Sequence, residues 1–142
     1  MNFGSALIVD DNKDDIYILR RMITEAGLAN EVFEADDGST ALDFLTDYDR
    51  NHCRHPDKFP PILIFLDINM PVMDGFEFLM RFAAMRDQYD YSACSFMVFT
   101  SSEHPRDRER TLQYGFVKGY ITKMPETPEE LREQVERCLS AH

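Results

Sequence analysis

The feature that most constrains this chain is an alternation along its length, in which five short apolar runs are each followed by a longer segment of helical period. Short runs suit strands, and amphipathic segments between them suit helices that cross back over a sheet, so the pattern specifies an α/β domain on a parallel sheet. The predicted strands are Ser5 to Val9, Glu31 to Ala35, Ile62 to Leu66, Ser95 to Phe99 and Gly119 to Thr122. Ile62 to Leu66 is apolar at every position, as expected of a central strand covered on both faces.

Helix boundaries follow from caps and turns. The first helix is predicted from Lys13 to Ala26, with Asn12 as N-cap, Ile16, Leu19, Ile23 and Ala26 on one face, and Gly27 as its end. Asp37-Gly38 leads into a helix carrying Ala41, Leu42 and Leu45, after which Arg50 to Pro60 reads as a polar loop. Asp74-Gly75 opens a helix expected to turn Phe76, Leu79, Met80 and Ala83 inward, with Phe78 and Phe82 also read as packing residues. Pro105 suits the first turn of the next helix, which Gly115 is expected to close. Thr127-Pro128-Glu129-Glu130 supplies an N-cap, a first-turn proline and the acid of a capping box for a helix that buries Leu131, Val135, Cys138 and Leu139. No repeat or linker interrupts the pattern, and the expectation is one domain over residues 1–142 with no effector domain.

Composition narrows the function classes. A net charge of -11 argues against binding a phosphate backbone, so nucleic acid is not expected as a direct partner. The longest apolar stretch is far short of the ~20 residues that span a bilayer, and the N-terminus shows no export signal. Three cysteines at wide spacing suit reduced thiols rather than a disulfide framework, which points to the cytoplasm. His52, Cys53 and His55 are too tightly spaced for a zinc site and lack a fourth ligand.

The chemistry emerges when polar residues are placed on the strands. Asp10 and Asp11 follow the first strand, Asp67 the third, Thr100 the fourth and Lys123 the fifth. In a flavodoxin-like doubly wound sheet of order 2-1-3-4-5 those four strands are adjacent, and ligands bind at their carboxyl ends. Three carboxylates there repel, each pair at ~4 Å by about 4 kcal/mol at an effective dielectric near 20. A hard divalent cation offsets that, and Mg²⁺ binds one or two carboxylates while keeping sites for phosphoryl oxygens. The expectation is therefore a Mg²⁺-dependent phosphate site with Asp67 as nucleophile, Lys123 as neutralising charge and Thr100 as hydrogen-bond donor.

With these residues in order, the chain resembles the receiver domains of bacterial two-component response regulators. The likeness lies in LIVDDN, LDINMPVMDGFEFL, FMVFTSS and GYITK. It implies that Asp67 is phosphorylated by a sensor histidine kinase or histidine phosphotransfer protein. It further implies that Asp11, Asp67 and the backbone carbonyl of Asn69 bind Mg²⁺, and that Asp10 acts mostly through water. Lys123 and Thr100 would contact the phosphoryl group, and Tyr120 would serve as a switch aromatic. Asn69 and Ser102 would flank the route of the water that dephosphorylates. The implied output is a surface of the fourth helix, fifth strand and fifth helix that binds a downstream protein target, and a phosphorylation-dependent homodimer is a further expectation. One departure is Met124, standing directly after Lys123 where the family usually has proline. The rival readings are a phosphorylation-independent adaptor of the same fold and a Mg²⁺-dependent aspartyl-phosphate phosphohydrolase. The second fits poorly, because Asn69 stands where such enzymes carry a further acid. No GxxxxGK[ST] follows the first strand, which removes a P-loop.

Overall fold

The structure is a computed structural model, described here for residues 2–68, 70, 73–100, 104–122 and 125–140. Its elements run β1 (Ser5–Val9), α1 (Lys13–Glu25), β2 (Glu31–Ala35), α2 (Gly38–Thr46), α3 (Tyr48–Arg54), β3 (Leu63–Asp67), α4 (Gly75–Met85), β4 (Ser95–Phe99), α5 (Pro105–Leu112), β5 (Val117–Ile121) and α6 (Pro128–Ser140). The strands form one parallel sheet in the order β2-β1-β3-β4-β5, the doubly wound arrangement expected.

Strand alternation divides the core into two layers. Ala6, Ile8, Leu63, Phe65, Met97 and Phe99 face α1 and α6, which contribute Ile16, Leu19, Ile23, Leu131 and Val135. Leu7, Val9, Ile64, Leu66, Phe96 and Val98 face the other way and are covered chiefly by α2 and α4. On β5 the register slips, since Phe96 pairs with Val117 but Met97 with Gly119, so Lys118 is the extra residue of a bulge. That bulge places Val117 and Tyr120 in the same layer, which simple alternation would not do.

The caps largely follow expectation. Asn12 accepts from the backbone N–H groups of Asp14 and Asp15 at 2.9 and 3.1 Å, and Gly27 ends α1 in the left-handed region at φ 70°. Thr127 Oγ1 accepts from Glu130 N at 3.1 Å, while the Glu130 carboxylate reaches back to Glu126 N at 2.9 Å. His104, whose Nδ1 accepts from Arg106 N at 3.1 Å, caps α5 ahead of Pro105. That helix ends at Leu112, earlier than Gly115 would have it.

Two expectations are corrected. The segment read as a loop from Arg50 begins inside a helix, α3. Its Asn51 is buried and donates to the Phe44 carbonyl at 2.7 Å, while the buried Tyr91 hydroxyl donates to the Leu45 carbonyl. Those carbonyls lie at the α2 terminus, which carries no glycine cap, so side chains from α3 and the α4–β4 connection satisfy them instead. Tyr48, Phe59, Tyr89 and Tyr91 pack ring on ring around this junction. The second correction is the inward face of α4, which is Phe78, Leu79, Phe82 and Met85; Met80 is 57% exposed. Among the described residues no helix is long and apolar enough to cross a membrane.

Candidate functional site

Asp10 follows β1 directly, and its backbone N–H bonds to the Ala35 carbonyl of β2 at 3.1 Å, which fixes the start of the turn into α1. Its carboxylate turns back to accept from Asn12 N at 2.9 Å, while Asn12 in turn caps α1. Asp11 is the exposed neighbour. Asp67 is the last residue of β3, pairs in register with Phe99 of β4, and is half-buried. One carboxylate oxygen from each of Asp10, Asp11 and Asp67 lies within 4.8 Å of the others, at the carboxyl ends of adjacent strands.

The electrostatics of this cluster are unfavourable to a bare protein. Burial, foremost, pushes the Asp10 carboxyl up to about 7; the Asn12 N–H works in the opposite direction, and the charges of Asp67, Asp15 and Asp11 add to the rise. The donor set is entirely carboxylate oxygen, with no imidazole or thiolate, which fits a hard octahedral cation such as Mg²⁺ rather than zinc. Among the described residues this is the one group of three or more potential ligands. His52 instead stacks on Tyr48 and His55 meets the edge of Phe33, so neither is drawn into a metal cluster.

Ile68, next after Asp67, is held close against Gly75 at the start of α4. Gly75 N donates to the Ile68 carbonyl at 3.1 Å, and a Cβ at Gly75 would stand 2.5 Å from the Ile68 Cα, so a side chain there forces Ile68 away. Thr100 sits one residue past β4, 8% exposed, with its N–H bonded to the Ile121 carbonyl at 3.0 Å. Tyr120 on β5 pairs with Val98 and is itself buried, 9% exposed. Of the sequence-predicted residues, the structure thus brings Asp10, Asp11 and Asp67 together and places Thr100 just past β4 and Tyr120 on the adjacent β5. Asn69, Ser102, Lys123 and the Lys123-Met124 bond lie outside the described residues. Two participants were not picked out from sequence. Asp15, in the first turn of α1, adds to the field on Asp10; Arg108 lies over the Tyr120 ring at 5.9 Å.

A five-stranded doubly wound sheet of order 2-1-3-4-5 with an acidic cluster at its carboxyl edge is a CheY-like arrangement, and comparison with known proteins agrees. The family model described as response regulator receiver domain matches residues 6–136, so the chain belongs to that family of two-component signalling proteins. CheY4 of Vibrio cholerae, a chemotaxis protein of known structure, is 29% identical with a TM-score of 0.70, covering 96% of this chain and 98% of that one. The probable chemotaxis protein CheY of Rhizobium etli is 26% identical over 135 residues, 95% of this chain and 92% of that protein. The sensor histidine kinase CheAY of Helicobacter pylori is 29% identical over 133 residues, but the chain spans only 15% of its length.

Proposed function

We propose that Asp67 accepts a phosphoryl group from a phosphohistidine on a sensor histidine kinase or a histidine phosphotransfer protein. The observation that carries this reading is the meeting of Asp10, Asp11 and Asp67 within 4.8 Å at the carboxyl edge of the sheet. A carboxylate oxygen of Asp67 forms the new P–O bond while the P–N bond of the donor imidazole breaks; the imidazole nitrogen leaves with the electron pair and takes up a proton. Asp11, Asp67 and the Asn69 carbonyl would hold Mg²⁺ directly and Asp10 through water. The ion, when bound, supplies positive charge against the transferring oxygens. Lys123 adds a second positive charge, and Thr100 donates a hydrogen bond to the phosphoryl group. Asn69 and Ser102 flank the water route that limits the lifetime of the acyl phosphate. The chain is a switch rather than an enzyme acting on a separate substrate.

The phosphoryl group brings roughly -1.5 to -2 charge and new acceptor oxygens. Thr100 is drawn to it, and the space behind Thr100 accommodates the Tyr120 ring inside the fold. The equilibrium of the α5, β5 and α6 surface shifts accordingly, and that surface binds a downstream protein or a second phosphorylated copy. Incubation with Mg²⁺ and acetyl phosphate, read by intact mass and by sizing, tests this. One phosphoryl adduct is expected, absent from Asp67→Asn; an equally labelled Asp67→Asn would reject the assignment, and turnover of an external phosphomonoester would favour the hydrolase reading.

A further inference from the structure

The helix α5 carries few apolar anchors. Five of its eight residues are charged, and Thr111 is its buried residue. The Thr111 hydroxyl bonds within the helix, to the Arg108 carbonyl at 3.0 Å. By contrast α4 buries Phe78, Leu79, Phe82 and Met85. Besides Leu112, which is partly buried against the core, α5 sets two arginines over aromatic rings. Arg110 places its guanidinium carbon 3.7 Å from the centroid of Phe76, in the first turn of α4, and Arg108 lies 5.9 Å from that of Tyr120 on β5. Residues two apart on a helix point about 200° from one another, so the two contacts grip opposite flanks of α5.

Both rings neighbour backbone that adjoins the site residues Asp67 and Thr100. Phe76 follows Gly75, whose N–H meets the carbonyl of Ile68, the residue next after Asp67. Tyr120 precedes Ile121, whose carbonyl receives the Thr100 N–H. The Tyr120 ring is already inside the fold, with Arg108 above it. We propose that Arg108 and Arg110 are positioning residues for phosphoryl acceptance: by clasping Tyr120 and Phe76 they hold α5 in the arrangement with Tyr120 inside, and so bias the chain toward its phosphoryl-binding state. This rests on the reading of Asp67, Thr100 and Tyr120 given above. A ligand and a conformation that favour each other do so reciprocally, so weakening the clasps must weaken the hold on the phosphoryl group.

Loss of one partly exposed cation–π contact shifts such an equilibrium about two- to five-fold. Arg108→Gln and Arg110→Gln are each expected to lower the affinity for beryllium fluoride, a phosphoryl mimic, by that factor, and to speed amide exchange over residues 106–112 similarly. Mg²⁺ affinity should not change, and Arg110→Lys should recover part of the loss, because an ammonium also sits over a ring. Unchanged exchange would overturn the clasps. Faster exchange with unaltered or tighter beryllium fluoride binding would reduce them to structural contacts and overturn the positioning role. Should the unsubstituted chain take up neither beryllium fluoride nor label from acetyl phosphate, the acceptor reading itself fails and the positioning role with it, while exchange still reports on the clasps.

Discussion

Asp10 shows how a single side chain is made costly for the sake of a site. It is 9% exposed, its carboxyl is pushed up to about 7, and its principal protein contact near the cluster is the Asn12 N–H at 2.9 Å. An amide of the same shape would remove the desolvated charge and the repulsion from Asp67, Asp15 and Asp11. Asp10→Asn is therefore expected to stabilise the metal-free protein by about 1 kcal/mol, a rise of roughly 3 °C in Tm, while weakening Mg²⁺ binding. Thermal melts with chelator and with Mg²⁺ check both signs, and a lower melting point in chelator would contradict the account. The cluster was legible in the sequence because the Asp10-Asp11 pair and Asp67 each follow an apolar run, and strand order alone then brings β1 and β3 together. Asp15 was not legible as a contributor, because its effect depends on how α1 leaves the sheet rather than on any motif.

Elements were legible to the degree that they announce themselves locally. The strands came through to within a residue or two, and the largest error, at β5, coincides with the Lys118 bulge, where pleat and apolarity part company. The α4 face was misread because its sequence, GFEFLMRFAAM, offers two rival apolar stripes that share Leu79; packing against Phe96 and Phe116 selects the one with Phe78 and Phe82. Helix α3 was invisible since its residues, YDRNHCR, carry no apolar period, and its Asp47 cap makes no side-chain hydrogen bond. It exists through tertiary contacts, above all those of Asn51 with α2 and of Tyr48 with the aromatic group around Tyr91. Tyr91→Phe keeps the ring and deletes only the hydroxyl, leaving the Leu45 carbonyl unsatisfied in a buried place. The expected cost is about 1–3 kcal/mol, read from denaturant midpoints with an unchanged m-value.

For the molecule as a whole, a net charge of -11 with three acids meeting at one edge makes cation binding and stability a single equilibrium. At a free Mg²⁺ concentration of a hundred times Kd the fold should gain about 2.7 kcal/mol, an increase of roughly 5–10 °C in Tm. Asp11→Asn should lose most of that increment, and a melting temperature indifferent to Mg²⁺ would argue against a metal site there. The two ends of the sheet are built differently. Around the amino ends of β3 and β4 lie α3, Tyr48, Phe59 and Tyr91, while the carboxyl ends carry Asp10, Asp11, Asp67 and Thr100. Cys53 is exposed on α3, whereas Cys94 is buried, with its thiol pushed up to about 12, chiefly by burial. A fluorophore attached to Cys53 would thus ride on the opposite end of the sheet, about a strand's length of ~17 Å from Asp67, and would record the arrival of a phosphoryl group only as a signal carried through the fold.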